Sequence, residues 1–271
     1  MNKHLFILLL LLCFNPLNNT FAGAREEGLK AFKSGDFKQM LALWIPLAEQ
    51  GDHEIQYNLG IMYSQGRGVE KDIKQALHWL TIAANNDDKD AQSVLGKIYA
   101  LGLDTQKNYP LAEKWLRRAA KQGQPAAQYN LAVLYDNGWG LPQDHELAMR
   151  WYYKAAAQNH PAAQFNLGVM HEQGRGIPAD FHEAFRWYDK AARQGEGDAQ
   201  ANLGRLYFQG KGTKKDKLLA YAWLSAAAQQ KVISATKNKS FVFKQLSDKD
   251  KVLADNLAQE YIKKYSKGLP K

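Results

Sequence analysis

Cysteine is nearly missing from this chain: of 271 residues only Cys13 carries a thiol. A disulfide framework is thereby excluded, and the fold must hold by packing alone. Long apolar runs are as scarce. The longest, Leu5 to Phe14, is too short to span a bilayer, and no second stretch is long enough to anchor the chain in a membrane. Because Lys3 and His4 precede that run and Ala22-Gly23-Ala24 follows it, residues 1–24 are expected to be a secretory signal peptide cut after Ala24, with Ala22 as the close alternative. Cys13 would leave with it, and Leu12 is too large for a lipoprotein signal. About 247 residues would remain, enough to bury a core without cross-links. Acidic residues are scarce only at one end. Residues 1–210 balance 22 Lys and Arg against 22 Asp and Glu, whereas 211–271 hold 14 lysines and 5 acids, so the net +9 belongs to the last quarter. A solvated face is one reading of those lysines, and a surface for an anionic partner is the other.

What is present is a tryptophan every 36 residues: Trp79, Trp115, Trp151, Trp187 and Trp223. Gln56, Gln92, Gln128, Gln164 and Gln200 keep the same frame, as do the series beginning at Leu59 and Ala76. A fixed period of this length means a repeat array. Within one unit, Ile55, Leu59, Met62 and Tyr63 fall at helical spacing, Gly66-Arg67-Gly68 interrupts, and Ala76, Trp79, Leu80 and Ala83 resume it. Each unit therefore reads as helix, glycine turn, helix.

Asp36, Asp72, Asn108, Asp144, Asp180 and Asp216 stand where the second helix needs an N-cap acceptor. Gly51, Asp87, Gly123, Asn159 and Gly195 stand where its end needs a left-handed residue, and at Lys231 that series of residue types fails. Pro125 and Pro161 open first helices. Gly60, Gly96, Ala132, Gly168 and Gly204 keep one turn of the first helix bare for the second to approach. One helix pair cannot bury its apolar face alone, so stacked pairs form an all-α solenoid. The expected organisation is a signal peptide over 1–24, an N-terminal capping pair over 25–54, five repeats over 55–234 starting near 55, 91, 127, 163 and 199, and basic capping helices over 235–271. Val232 to Phe243 reads as a last divergent helix, and Ser247 with Asp250 as the start of another. The second full unit departs most from the pattern, with Gly102-Leu103-Asp104-Thr105 at its turn and Val94 in place of Asn.

Ala-Gln-(Tyr/Phe)-Asn-Leu-(Ala/Gly), then Gly-Xaa-Gly, Trp-Tyr and Ala-Ala, recur over 127–156 and 163–192. This pattern resembles the Sel-1-like repeat family of the tetratricopeptide superfamily over residues 36–231. The resemblance implies a right-handed α/α superhelix with first helices on its concave side, and an adaptor or scaffold role in the bacterial envelope. Some cysteine-rich members have been proposed to bind or hydrolyse β-lactams, a subgroup this chain departs from.

No chemistry asserts itself. Ser234-Ala-Thr-Lys237 matches Ser-Xaa-Xaa-Lys, but neither Ser-Asp-Asn nor Lys-Thr-Gly accompanies it. Gly204 to Lys211 has the wrong spacing for a phosphate loop, and His145-Glu146 and His182-Glu183 lack a second histidine. No catalytic, cofactor or metal residue is expected, nor a nucleic-acid partner.

In a repeat array the positions that vary are those free to meet a non-repetitive partner. Three such rows are Tyr57, Ser93, Tyr129, Phe165 and Ala201; Ile61, Lys97, Val133, Val169 and Arg205; and Ser64, Ala100, Asp136, Glu172 and Phe208. The resemblance places them on the concave side. The expected contacts to a protein or peptide partner are Tyr57, Lys97, Tyr129, Asp136, Phe165, Glu172, Arg205 and Phe208. Aromatics ringed by charge are how binding hot spots are built; packing between first helices is the other reading of Tyr129 and Phe165. Asn58, Asn130, Asn166 and Asn202 either link helices or bond a peptide backbone through their amides. Trp139, alone in its series at the turn, is either exposed or laid on a neighbouring turn. The alternative to groove binding is an envelope factor held to an anionic surface by its lysine-rich end, and a weaker one is a cell-wall or β-lactam enzyme.

Overall fold

The computed structural model describes residues 16–266, with side chains from residue 23. Most of the expected signal peptide, residues 1–15, lies outside the described residues. Among these the chain is helical throughout, without a strand, and no helix is long and apolar enough to cross a membrane. The chain forms two compact units, one ending at Ala91 and the other starting at Gln92.

The first unit contains α1 (Pro16–Ser34), α2 (Phe37–Glu49), α3 (His53–Gln65) and α4 (Ile73–Asn85). α1 runs through the expected cleavage site without a break. Its Phe32 lies over Trp44 of α2, rings 6.2 Å apart and near parallel. α3 pairs with α4, where Leu59, Leu80 and Ala76 are fully buried. Asp52 caps α3 through Ile55 N–H, and Asp72 caps α4 through the N–H groups of Lys74 and Gln75.

In the second unit the same pair recurs as α5 (Lys89–Leu101) with α6 (Tyr109–Lys121), α7 (Pro125–Asn137) with α8 (His145–Ala157), α9 (Pro161–Gln173) with α10 (Phe181–Arg193), and α11 (Gly197–Gln209) with α12 (Lys217–Gln229). α6 packs on α7, α8 on α9 and α10 on α11. α13 (Ile233–Phe243) and α14 (Asp248–Tyr265) both fold onto α12. There Trp223 meets Tyr261 edge-on at 4.8 Å and stacks on Tyr265 at 5.0 Å.

Four non-glycine residues, Asp87, Asp104, Asn159 and Lys231, take a left-handed backbone, and only for Lys231 is it one the residue type disfavours. Lys231 has φ +64°, and Val232 N–H still donates to Ala227 O, as Glu196 N–H does to Ala191 O. The helix ending thus persists where the residue types depart from it, with a lysine bearing a strain a glycine would lack. Asp104, φ +53°, takes the left-handed backbone where the second turn glycine is missing, a conformation its short polar side chain tolerates.

The recurring glutamines form a hydrogen-bonded ladder. Gln128, Gln164 and Gln200 are buried and donate through Nε2 to Ala120 O, Ala156 O and Ala192 O, at 3.2, 3.3 and 3.0 Å. Each Oε1 in turn accepts from a glutamine thirty residues on: Gln158, Gln194 and Gln230, at 2.9, 2.7 and 2.9 Å. Gln122 does the same for Gln92 at 3.0 Å. In the first unit Gln56 donates to Ala48 O, but its Oε1 has no partner. Asn86, one methylene shorter, stands where the others carry glutamine. Asn86→Gln is therefore expected to complete the rung and stabilise the protein by about 1 kcal/mol. Denaturant unfolding checks this, and an unchanged midpoint contradicts it.

Candidate functional site

The variable rows sit on α3 in the first unit and on α5, α7, α9 and α11 in the second. Tyr129 and Phe165 are each half-buried, and each leans on a tyrosine of the second helix of its own pair: Tyr129 on Tyr152 at 5.9 Å, Phe165 on Tyr188 at 5.9 Å. Tyr129 also stacks on His160 at 4.7 Å. Burial raises the Tyr129 hydroxyl above its ordinary pKa, the Glu196 carboxylate adds to this, and the Asn166 amide beside it opposes it. These aromatics thus pack against second-helix tyrosines, and both rings stay partly exposed.

The recurring asparagines differ from the glutamines. Asn58, Asn130, Asn166 and Asn202 are half-exposed, and apart from Asn166 beside the Tyr129 hydroxyl their amides make no hydrogen bonds among the described residues. Asn166 of α9 thus reaches the Tyr129 hydroxyl of α7, a link between helices, whereas the other three form no such link and the glutamines provide it.

The charged positions are less open than their row suggests. Asp136 is 5% exposed, and its carboxylate is taken by Arg175 Nη1, 3.2 Å from both oxygens, and by His145 Nδ1 at 2.9 Å. It offers no free anion to a groove, because an unpaired carboxylate at that depth is too costly to leave. Glu172 accepts two bonds from Arg205 Nη2, at 2.7 and 2.6 Å, and a third from the Tyr188 hydroxyl at 3.0 Å. Burial and the Glu172 carboxylate push that hydroxyl far above its usual range. Asp136, Glu172 and Arg205 therefore lock adjacent helix pairs together. Lys97 is exposed and makes no ion pair among the described residues.

Phe208 meets Phe241 of α13 edge-on at 5.6 Å, over a 180 Å³ hollow that Arg205 also lines. Trp139 is 42% exposed and lies on Tyr109 at 6.2 Å, so both of its readings hold. In the first unit Tyr57 is half-buried, its pKa raised by burial and by Asp90 and Asp88. That unit also carries an open cleft of 1190 Å³ lined by Phe37, Ile45, Val69, Trp79 and the orphaned Gln56. Among the described residues no three His, Cys, Asp or Glu converge as a metal site would require.

Two histidines tie the site to pH. His160 caps α9, its Nδ1 accepting from Ala163 N–H at 3.3 Å, and His171 Nε2 meets the Tyr153 hydroxyl at 2.8 Å. Burial lowers both pKa values. A His held below its unfolded pKa of about 6.5 contributes full stability above that pH and loses it as pH falls toward the folded value. Melting temperature is expected to fall from pH 7.5 to 5.5, and by less in His160→Asn, which retains a cap acceptor without a titrating ring. Equal pH slopes for the two proteins contradict this.

Five consecutive segments, residues 53–88, 89–124, 125–160, 161–196 and 197–232, match the Sel1 repeat. The chain belongs to the Sel1 repeat family. Among solved structures, the Sel1 repeat protein from Oxalobacter formigenes is 29% identical, with a TM-score of 0.74 over 87% of this chain and 98% of that one. The antigen c5321, present in uropathogenic Escherichia coli strains and displaying an SLR fold, is 30% identical, with a TM-score of 0.61 over 93% of this chain. This chain spans 62% of that antigen's length. None of the curated proteins matches. The helix pairs of each unit are therefore those of the Sel1 repeat fold, a family generally without catalysis.

Within the Sel1 frame the residues that sequence reasoning missed become visible. Leu80, Leu116 and Leu224 have Tyr152 and Tyr188 as their counterparts in the two central repeats, the two that carry Tyr129 and Phe165. That exchange was a readable signal. Arg175 and His145, the partners of Asp136, gave none, because the pairing depends on how a turn and a helix start converge.

Proposed function

We propose that this protein is a non-enzymatic exported adaptor that binds a protein or peptide partner along the first helices of its central repeats. One observation carries the reading: the glutamine amides of the second unit are held by the ladder, while asparagines stand in four of the five repeats, half-exposed, and the amides of Asn58, Asn130 and Asn202 make no hydrogen bond among the described residues. An amide so placed can donate to and accept from an extended backbone. Tyr129 and Phe165 stand beside Asn130 and Asn166 as anchors. Lys97 supplies an open charge, whereas Asp136, Glu172 and Arg205 act behind the surface by fixing its helices. Export rests on the charged start, apolar run and Ala-Xaa-Ala site of residues 1–24.

The test starts with affinity capture of the partner from an envelope extract and intact-mass measurement of the protein recovered; a mass that retains Cys13 contradicts export. Against the captured partner, Tyr129→Ala with Phe165→Ala is expected to weaken binding by about 10²-fold or more, at roughly 2 kcal/mol per anchor. Circular dichroism should show native helicity. Wild-type affinity in the folded double variant contradicts the proposal.

A further inference from the structure

The outer face of α13 combines features that the groove does not. From residue 217 to 247 there is no Asp or Glu, while Lys217, Lys231, Lys237, Lys239 and Lys244 all fall there. On the inner face of α13, Ala235 and Val242 are buried in a cluster with Tyr221 and Leu224, so the helix is fixed in place. On its outer face Ile233 is 90% exposed and Phe241 56% exposed. Ile233, Lys237, Phe241 and Lys244 follow one another at three- and four-residue spacing and so share one stripe. With Lys231 they line an open hollow of 840 Å³. Lys231, Lys237 and Lys244 are exposed and make no ion pair among the described residues.

A merely solvated face would not need its most exposed aliphatic side chain set among cations. A protein partner's anchor would need an enclosed pocket, but the hollow here is open and Ile233 on its lining is 90% exposed. Exposed Ile233 and the exposed part of Phe241, with lysines between them, suit a surface that is apolar below and anionic above. There the apolar groups enter the acyl boundary and the lysine stems reach back to phosphate. We propose that α13 lays this stripe on the surface of an anionic lipid bilayer, as a second contact independent of the groove.

The test is sedimentation of the protein as recovered from its host with phosphatidylcholine vesicles, with and without phosphatidylglycerol. Wild type is expected to bind only the vesicles containing phosphatidylglycerol, less tightly as salt rises. Lys237→Glu with Lys244→Glu should weaken binding by at least about 20-fold, at roughly fivefold per lysine removed. Ile233→Asp should weaken it by about tenfold through lost insertion. The variants share every N-terminal residue with wild type, so any lipid affinity of that segment cancels, and their exposed positions leave the fold intact by circular dichroism. Three results overturn the proposal: equal binding to both vesicle types, wild-type binding by the lysine variant, or complete displacement by soluble polyglutamate at matched ionic strength, which would assign the stripe to an acidic polypeptide.

Discussion

Trp151→Ala is expected to destabilise the protein by about 3 to 5 kcal/mol, the range for a buried aromatic. The indole is 8% exposed within a cluster that draws Leu131, Tyr152, Ala163 and Leu167 from α7, α8 and α9. Its loss therefore opens a void shared between consecutive repeats. Stability in such an array is a sum of repeat and nearest-neighbour terms, so a weakened centre should also broaden the unfolding transition and lower its m-value. The indole N–H has no hydrogen-bond partner. Trp151→Phe should accordingly cost far less, because it sacrifices only part of the ring and leaves no polar group stranded. Equal losses for the two variants in urea unfolding would mean that ring packing does not carry the interface.

Arg175→Met is expected to cost about 3 kcal/mol or more, although it lies at a turn and is partly exposed. Without the guanidinium, Asp136 keeps only His145 at a depth where an uncompensated carboxylate is costly. The companion double variant, Arg175→Met with Asp136→Asn, should recover much of the loss, because removing both charges leaves none to strand. A double variant as unstable as the sum of the singles would contradict the coupling. If instead Asp136→Asn alone left stability unchanged, Asp136 would be available to a partner, as its row in the sequence first suggested.

The fold was legible because its determinants are local and repeated five times. Trp79 through Trp223, the Asp N-caps and the turn glycines each recur in one frame, so chance agreement at any position is overruled by the others. Helix ends were legible for the same reason, down to Lys231, where the residue type broke the series but the backbone did not. The site was less so. A variable row shows which positions are free to differ, not which are already engaged. Asp136 and Tyr129 look alike in that respect, yet one is sealed behind Arg175 and the other stays partly exposed. The glutamine series holds in all five repeats and the asparagine series in four, and only the reach between Gln128 and Gln158 shows why the first is structural.

The most direct test of the groove replaces Phe165 with the photo-crosslinking residue p-benzoylphenylalanine in the cells that make the protein, with Arg150→p-benzoylphenylalanine as the control. Arg150 is exposed on the second helix α8, away from the first-helix face. Irradiation should yield a covalent adduct of discrete mass from position 165 and none from position 150, and adding Asn166→Ala should reduce the yield. No adduct from position 165, or equal yields from both, would contradict binding along the first helices.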